Sequence, residues 1–93
     1  MIQSWKDNAL AQVMAGRSPR GFPAALLSSA RRKLFQLDGA TRIEDLRTPP
    51  GNRLHELTGD RAGQWSISVN DQYRLCFTWG PNGPENVEFV DYH

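Results

Sequence analysis

The final three residues of the sequence, Asp91, Tyr92 and His93, set a carboxylate, a phenol and an imidazole side by side. Histidine is the side chain best matched to proton transfer near neutral pH. Because terminal residues tend to fray, we expect these groups to meet at one rim only if the last strand pairs within a sheet. The alternative is that Asp91 only ends a strand and that Tyr92 is an amphipathic edge residue.

Three further side chains could take part in chemistry, and each also has a structural interpretation. His55 lies on a predicted strand and is either a second proton-transfer group or an incidental surface residue. Arg74 lies on the polar face of a predicted hairpin and either binds an anion or pairs with a nearby carboxylate. Cys76 shares that face without an evident activating partner, so we interpret it as a small apolar filler.

The sequence contains no motif that would hold a cofactor or a metal ion. It lacks a phosphate-binding glycine loop, a nucleophile elbow and the ligand spacing of a metal site. Its single cysteine leaves no disulfide framework within the chain and no cysteine-based zinc site. We therefore expect an activity without a cofactor, in a reducing compartment.

The elements that must position these groups are organised around a predicted β-hairpin over residues 64–79. Its two runs alternate apolar and polar residues, which is typical of half-buried strands because successive side chains point to opposite faces. The apolar positions are Trp65, Ile67 and Val69 in the first run and Tyr73, Leu75, Phe77 and Trp79 in the second. Between the runs, Asn70 and Asp71 tolerate the left-handed backbone that tight hairpin turns require. The apolar face of the hairpin needs a helical cover.

The remaining chain supplies helices before the hairpin and strands around it. Helices are predicted over residues 8–15 and 23–38, where apolar residues recur at helical spacing. One or two helical turns are expected over residues 41–46, capped by Thr41. Short extended segments are expected over residues 2–5, 53–57 and 85–92. This order predicts a single α+β domain over residues 1–93, with a short N-terminal strand and two helices packed on one face of an antiparallel sheet.

The net charge of +1 conceals an uneven distribution of charge along the chain. Residues 15–55 contain eight basic and three acidic groups, a balance of +5, whereas residues 56–93 contain two basic and six acidic groups, a balance of −4. A basic layer over a mildly acidic sheet could bind a polyanion. The alternative is that the helix surfaces carry these charges only for solubility.

Neither a membrane span nor a secretion signal is predicted. No run approaches the length of about 20 apolar residues that a transmembrane helix needs. Residues 1–30 lack the charged-then-apolar pattern of a signal peptide. We therefore expect a soluble, cytoplasmic protein without a membrane partner.

Several stretches of the sequence resemble toxins of the RelE superfamily from bacterial toxin–antitoxin pairs, in particular the HigB branch. They are RLHELTGDRAGQWSI at residues 53–67, NDQYRLCF at residues 70–77 and VDYH at residues 90–93. RTPPGNRL at residues 47–54 looks especially like the GraT-type members of that branch. The resemblance covers nearly the whole chain. It implies a RelE-like α+β fold and a ribosome-dependent endoribonuclease that cuts mRNA and so inhibits translation and growth.

The same resemblance implies partners and a set of site residues. The partners are the 70S ribosome with its mRNA, a cognate HigA-like helix-turn-helix antitoxin, and operator DNA that is reached only through that antitoxin. Carried over by position, the catalytic residues are His55, Arg74, Asp91, Tyr92 and His93.

These residues can be assigned roles in metal-independent RNA cleavage. A base must take the proton of the 2′-hydroxyl, a cation must stabilise the charge on the phosphate, and an acid must protonate the leaving 5′-oxygen. Either Asp91 or His55 would be the base, Arg74 the cation and His93 the acid. Tyr92 would position the RNA or stack on a base.

Two other functions fit the same scaffold. One is a non-catalytic module that binds RNA or the ribosome, with phosphate contacts from six cations: Arg31, Arg32, Lys33, Arg47, Arg53 and Arg61. The other is a degenerate toxin that is kept as an operon co-repressor with its antitoxin. The six cations are also the predicted RNA contacts of the nuclease.

Overall fold

Four antiparallel strands form a meander in a computed structural model that describes residues 1–91. The strands pair in chain order, each with the next along the chain. They are β1 (His55–Glu56), β2 (Gln64–Ser68), β3 (Tyr73–Gly80) and β4 (Gly83–Asp91). Two helices pack against one face of this sheet, so the predicted α+β architecture is confirmed.

The two helices are close to their predicted bounds. Helix α1 (Asn8–Met14) begins after Asp7, whose Oδ1 accepts a hydrogen bond from the Ala9 amide at 3.0 Å. A carboxylate at this position satisfies one of the amides that the first turn leaves unpaired. Helix α2 (Leu27–Gly39) follows a 3-10 turn over Ala24–Leu26. None of the helices in residues 1–91 has the length and apolar character to cross a bilayer.

The core lies between α2 and the apolar face of the hairpin. Ala30, Leu34 and Leu37 form one stripe of α2 and are each 0% exposed. Ile67 and Leu75 of the sheet, which face this stripe, are likewise 0% exposed. Full burial of one leucine contributes about 1.5–3 kcal/mol, so this stripe is a main source of the stability that holds the sheet in place.

The predicted N-terminal strand over residues 2–5 is reduced to a single parallel bridge between Trp5 and Val87. The Lys6 amide also donates to the Val87 carbonyl at 3.0 Å. The ladder stays short because Asn86 has a left-handed backbone, with φ of 54°, beside an irregularity in the pairing of β3 and β4. The N-terminal segment still covers the outer edge of β4, where unpaired backbone groups would otherwise be exposed.

The hairpin turn forms by a different mechanism from the predicted one. Neither Asn70 nor Asp71 has a positive φ. Instead, the Asn70 side-chain oxygen accepts hydrogen bonds from the Gln72 and Tyr73 amides at 2.8 and 2.7 Å. Asparagine therefore makes this turn through its side chain, as an Asx turn, and not through a left-handed backbone.

The predicted cap at Thr41 is also wrong, because the capping group is a carboxylate. The helical turn is a 3-10 helix over Ile43–Arg47. Asp45 Oδ2 accepts from the Thr41 amide and hydroxyl, both at 3.0 Å, and from the Arg42 amide at 3.1 Å. These bonds, first that from Arg42, lower the pKa of Asp45. Thr41 thus donates its hydroxyl proton to the cap.

Candidate active site

The face of the sheet that is turned away from the helices, called here the open face, carries the candidate active site. A cross-strand row runs over all four strands in the order His55, Ser66, Cys76 and Glu88. Residues directly opposite in an antiparallel pair have Cβ atoms about 5 Å apart. Arg74 lies on the same face, two residues before Cys76 on β3.

This face, the polar face of the predicted hairpin, was expected to be exposed to solvent, and the structure corrects that expectation. Cys76 is 1% exposed, and Ser66 is 0% exposed. Arg74 contacts Ser66 through a hydrogen bond, and the charges of Arg61 and Arg74 both act on the Cys76 thiol. Burial raises the pKa of the Cys76 thiol above its ordinary value, which suits an inert filler and not a nucleophile.

Two of the predicted catalytic residues share the open face. The Nη1 of Arg74 donates a hydrogen bond to the Ser66 hydroxyl at 2.8 Å. Ser66 is in turn the cross-strand partner of His55, which is exposed at the edge of the sheet. The guanidinium of Arg74 is therefore bound to the serine that lies opposite His55 in the strand register. The combination of an arginine and a histidine can hold a phosphate and transfer a proton beside it.

A second arginine is held on this face by a carboxylate. Arg61 donates from Nη1 and Nη2 to the two oxygens of Glu88 at 3.2 and 3.3 Å, and its Nη1 also donates to Gln64 at 3.0 Å. Lys6 lies 3.5 Å from the same carboxylate. The hydrogen bonding from Arg61, together with the charges of Arg61 and Lys6, outweighs the opposing effect of burial and lowers the pKa of Glu88. Arg61 is thus fixed in place before any ligand arrives.

Asp91 does not share the face of His55 and Arg74. It pairs with Tyr73, whose ring stacks on Phe89 on the helical side of the sheet. Its carboxylate is exposed and accepts a hydrogen bond from Gln72 Nε2 at 3.1 Å. β1 and β4 are the outer strands, and Asp91 lies three residues beyond Glu88, the β4 residue in the row of His55. The backbones of His55 and Asp91 are therefore separated by more than three strand spacings, or more than about 14 Å.

The other two residues of the predicted terminal cluster, Tyr92 and His93, lie outside the described residues. Within residues 1–91, no group of three or more histidine, cysteine, aspartate or glutamate side chains is placed to hold a metal ion.

Three of the six predicted RNA contacts lie on α2, behind the sheet as seen from the open face. Arg31 Nε donates to the Val13 carbonyl at 3.1 Å and so ties α2 to α1. Arg32 is exposed, whereas Lys33 is 7% exposed and donates to the side chain of Asn52. Burial, more than the nearby charge of Arg32, lowers the pKa of Lys33. Lys33 therefore stabilises the fold and is not presented to a ligand.

The other three predicted contacts, Arg47, Arg53 and Arg61, lie outside α1 and α2. Arg53 is exposed two residues before His55 and lies 4.0 Å from Asp71 of the hairpin turn. Arg61 follows β1, and Arg47 is exposed at the end of its 3-10 turn. Arg61 is thus held at the open face by Glu88, whereas Arg31, Arg32 and Lys33 lie on α2 on the other side of the sheet, a difference that the charge count along the chain did not show.

Sequence reasoning missed Ser66 and Glu88, which hold the two arginines of the open face. Alternation along β2 did place Ser66 on the polar face, which was the available signal. A serine on such a face is ordinarily solvated, so its burial could not be inferred locally. Glu88 was counted only as part of the acidic balance. Beside it, a cleft of about 320 Å³ is lined by Lys6, Gln64, Thr78, Asn86 and Glu88.

Comparison with known proteins adds an independent line of information. The model of the HigB-like toxin family, described as RelE-like toxins of the type II toxin–antitoxin system HigB, matches residues 3–93. Toxin HigB-1 of Vibrio cholerae serotype O1 is 42% identical over 80 residues, which span 85% of this chain and 84% of that protein. Endoribonuclease HigB of Proteus vulgaris is 32% identical over 93 residues, the full length of both chains.

Proposed function

This chain belongs to the HigB-like family of RelE-like toxins of type II toxin–antitoxin systems, and we propose that it is an endoribonuclease that cleaves mRNA on the ribosome. The predicted family and toxin function are thereby confirmed. A relative that aligns over the whole chain is named an endoribonuclease, which supports the same activity here.

The observation that carries the proposal is that Ser66 relates two predicted catalytic residues on the open face, since His55 is its cross-strand partner and Arg74 donates a hydrogen bond to its hydroxyl. RNA cleavage through the 2′-hydroxyl needs a proton acceptor and a cation near one phosphate. An arginine suits that phosphate, because its planar donors match the phosphate oxygens. The open face supplies both groups from strands of the same sheet.

His55 is the general base in this proposal. It takes the proton of the 2′-hydroxyl as the 2′-oxygen attacks phosphorus, and Arg74 stabilises the charge that develops on the phosphate. Asp91 is the weaker candidate for the base, because its strand position directs it to the other side of the sheet. The attack forms a 2′,3′-cyclic phosphate and breaks the bond between phosphorus and the 5′-oxygen.

His93 is the general acid that protonates the leaving 5′-oxygen, and Tyr92 stacks on a base beside it. Both assignments rest on the sequence resemblance. Asp91, which precedes them in the sequence, is exposed at the end of β4.

The ribosome supplies what the small site lacks. Positioned proton transfer is worth about 10²–10⁴-fold in rate, so most of the acceleration must come from orientation of the RNA. We propose that the decoding site of the 70S ribosome holds the mRNA in line for attack, in the cytoplasm. Arg47, Arg53 and Arg61 make contacts with the phosphates of the mRNA.

The family also implies an antitoxin as the partner that controls the activity. We propose that it is a HigA-like helix-turn-helix protein, which would bring the toxin to operator DNA only as part of the complex.

The proposal is tested by inducing the protein without its antitoxin, beside Arg74→Ala and His93→Ala variants, and mapping new mRNA 5′ ends. Growth arrest with cuts in phase with the reading frame, lost in both variants, is the expected result. Arrest without new ends, or arrest that survives both substitutions, would replace the nuclease with a ribosome-binding module.

Ribosome dependence needs a separate test with purified components. The same mRNA is incubated with the protein alone and with programmed ribosomes. Cleavage should require the ribosome, and rapid cutting of the free mRNA would overturn that part of the proposal.

A further inference from the structure

Ser66 lies at the centre of the open face, between the two residues that the proposed mechanism uses. Its cross-strand partners are His55 on one side and Cys76 on the other. The residue is 0% exposed, and its hydroxyl accepts the hydrogen bond from Arg74 at 2.8 Å. A buried serine at this point therefore has a defined polar partner.

The register shows that this contact is not the one that strand pairing alone would favour. Ser68, and not Ser66, is directly opposite Arg74. Yet the Ser68 hydroxyl donates to the Asn70 carbonyl at 3.0 Å, within the hairpin turn. Arg74 reaches diagonally to Ser66 instead, over a separation of about 7–8 Å that a long side chain can span.

The diagonal contact decides where the positive charge is placed. It draws the guanidinium away from the hairpin turn and into the cross-strand row that contains His55. An arginine has a large rotamer entropy, so a fixed acceptor restricts the volume that its charge occupies. A phosphate held by Arg74 would then lie within reach of the imidazole.

We infer that Ser66 is a positioning residue of the proposed nuclease, which holds the Arg74 guanidinium beside His55 through its hydroxyl. This inference rests on the proposed function, since it assigns Arg74 to the scissile phosphate. Ser66 acts through Arg74 and does not itself contact the RNA.

The test compares Ser66→Ala with Ser68→Ala in steady-state cleavage of ribosome-bound mRNA at varied concentrations of the programmed ribosome. The two variants remove the same atoms from buried serines on the same face of β2, and only the first removes the contact with Arg74. Ser66→Ala should lower kcat about tenfold with little change in KM, as expected for loss of a hydrogen bond to a charged group. Ser68→Ala should retain the wild-type rate.

A double-mutant cycle separates positioning from a general effect on folding. Ser66→Ala should have no further effect in the Arg74→Ala background, because its only route to the reaction is then absent. Wild-type rates in Ser66→Ala while Arg74→Ala is inactive would overturn the inference, and so would losses that multiply in the double variant. Failure of the wild-type protein to cut at all would instead overturn the proposed function.

A structural readout does not depend on activity or on ribosomes. ¹⁵N relaxation of the Arg74 Nε–Hε group in the free protein reports how tightly the side chain is held. The order of this group should fall in Ser66→Ala and stay at the wild-type level in Ser68→Ala. Equal order in wild type and Ser66→Ala would refute the positioning role even if cleavage were slower.

Discussion

Arg61 and Glu88 join the two ends of the open face, with a bidentate contact at 3.2 and 3.3 Å. Arg61 ends the 3-10 turn Gly59–Arg61 between β1 and β2, whereas Glu88 lies on β4, the outer strand on the opposite side. The contact therefore spans the face above Cys76, whose thiol interacts with both charges. This contact holds the Arg61 guanidinium over the open face. The charge count along the chain would place the same cation on an exposed surface.

Replacement of Glu88 by glutamine should make the stability of the protein less dependent on pH. The folded-state pKa of Glu88 lies below its ordinary value of 4.5, so its contribution is present above that value and is lost as the pH falls through the folded-state pKa. Because both side chains are partly exposed, the loss at neutral pH should be about 1 kcal/mol.

Urea denaturation of wild type and Glu88→Gln between pH 7 and pH 3 measures this difference. The two free energies of unfolding should converge on acidification. A gap that is constant over the whole range would show that the ionised carboxylate contributes nothing specific. Glu56→Gln is a control, since Glu56 is an exposed residue on β1.

The choice of general base can be decided by two substitutions, each of which keeps the approximate size of the side chain and removes its ability to accept a proton. His55→Gln should lower the single-turnover cleavage rate by about 10²–10⁴-fold, the range for loss of a positioned base. Asp91→Asn should have a smaller effect, because the pairing of Asp91 with Tyr73 places its side chain on the helical side of the sheet. The opposite order of effects would transfer the role to Asp91.

Arg74 should be sensitive to the geometry of its donors as well as to its charge. Arg74→Ala should lower the cleavage rate about 10²–10³-fold, as for removal of a group that stabilises the transition state. Arg74→Lys should fall between this variant and wild type, since lysine keeps a point charge but loses the planar fork. Arg17→Ala removes an exposed cation from the basic segment of residues 15–55 and serves as the control for net charge. Equal rates for Arg74→Lys and wild type would mean that charge alone is needed.

Asn52 should be important for stability and not for cleavage. It is 0% exposed, accepts a hydrogen bond from Lys33 and donates to the Leu46 carbonyl at 3.1 Å. Asn52→Ala leaves a buried ammonium and a buried carbonyl without this partner, so unfolding should become easier by about 2–3 kcal/mol. Asn82→Ala, at an exposed turn, should change the stability by no more than about 0.5 kcal/mol. A loss in Asn52→Ala no larger than in this control, measured by chemical denaturation, would contradict the prediction.

Sequence patterns were sufficient where structure depends on neighbours along the chain. Alternation of apolar residues located β2 and β3, and helical spacing of apolar residues located α2. These patterns arise because a strand or helix that buries one face must place an apolar residue there at a regular interval. The stretches around His55, Arg74 and the last three residues carried the resemblance to the family, which the comparisons confirmed. Local chemistry was less well predicted at the hairpin turn, where Asn70 bonds through its side chain.

Only the tertiary structure decided which side chains meet. Arg32 and Arg53 both belong to the basic segment of residues 15–55 in the sequence. In the structure Arg32 lies on α2, which covers one face of the sheet, whereas Arg53 lies two residues before His55 of β1. The burial of Ser66 and its diagonal contact with Arg74 depend on strand register and on the side chains that cover the face. A period along the chain determines which residues share a face. What covers that face, and which residue of the neighbouring strand each side chain reaches, is set by the packing of distant segments.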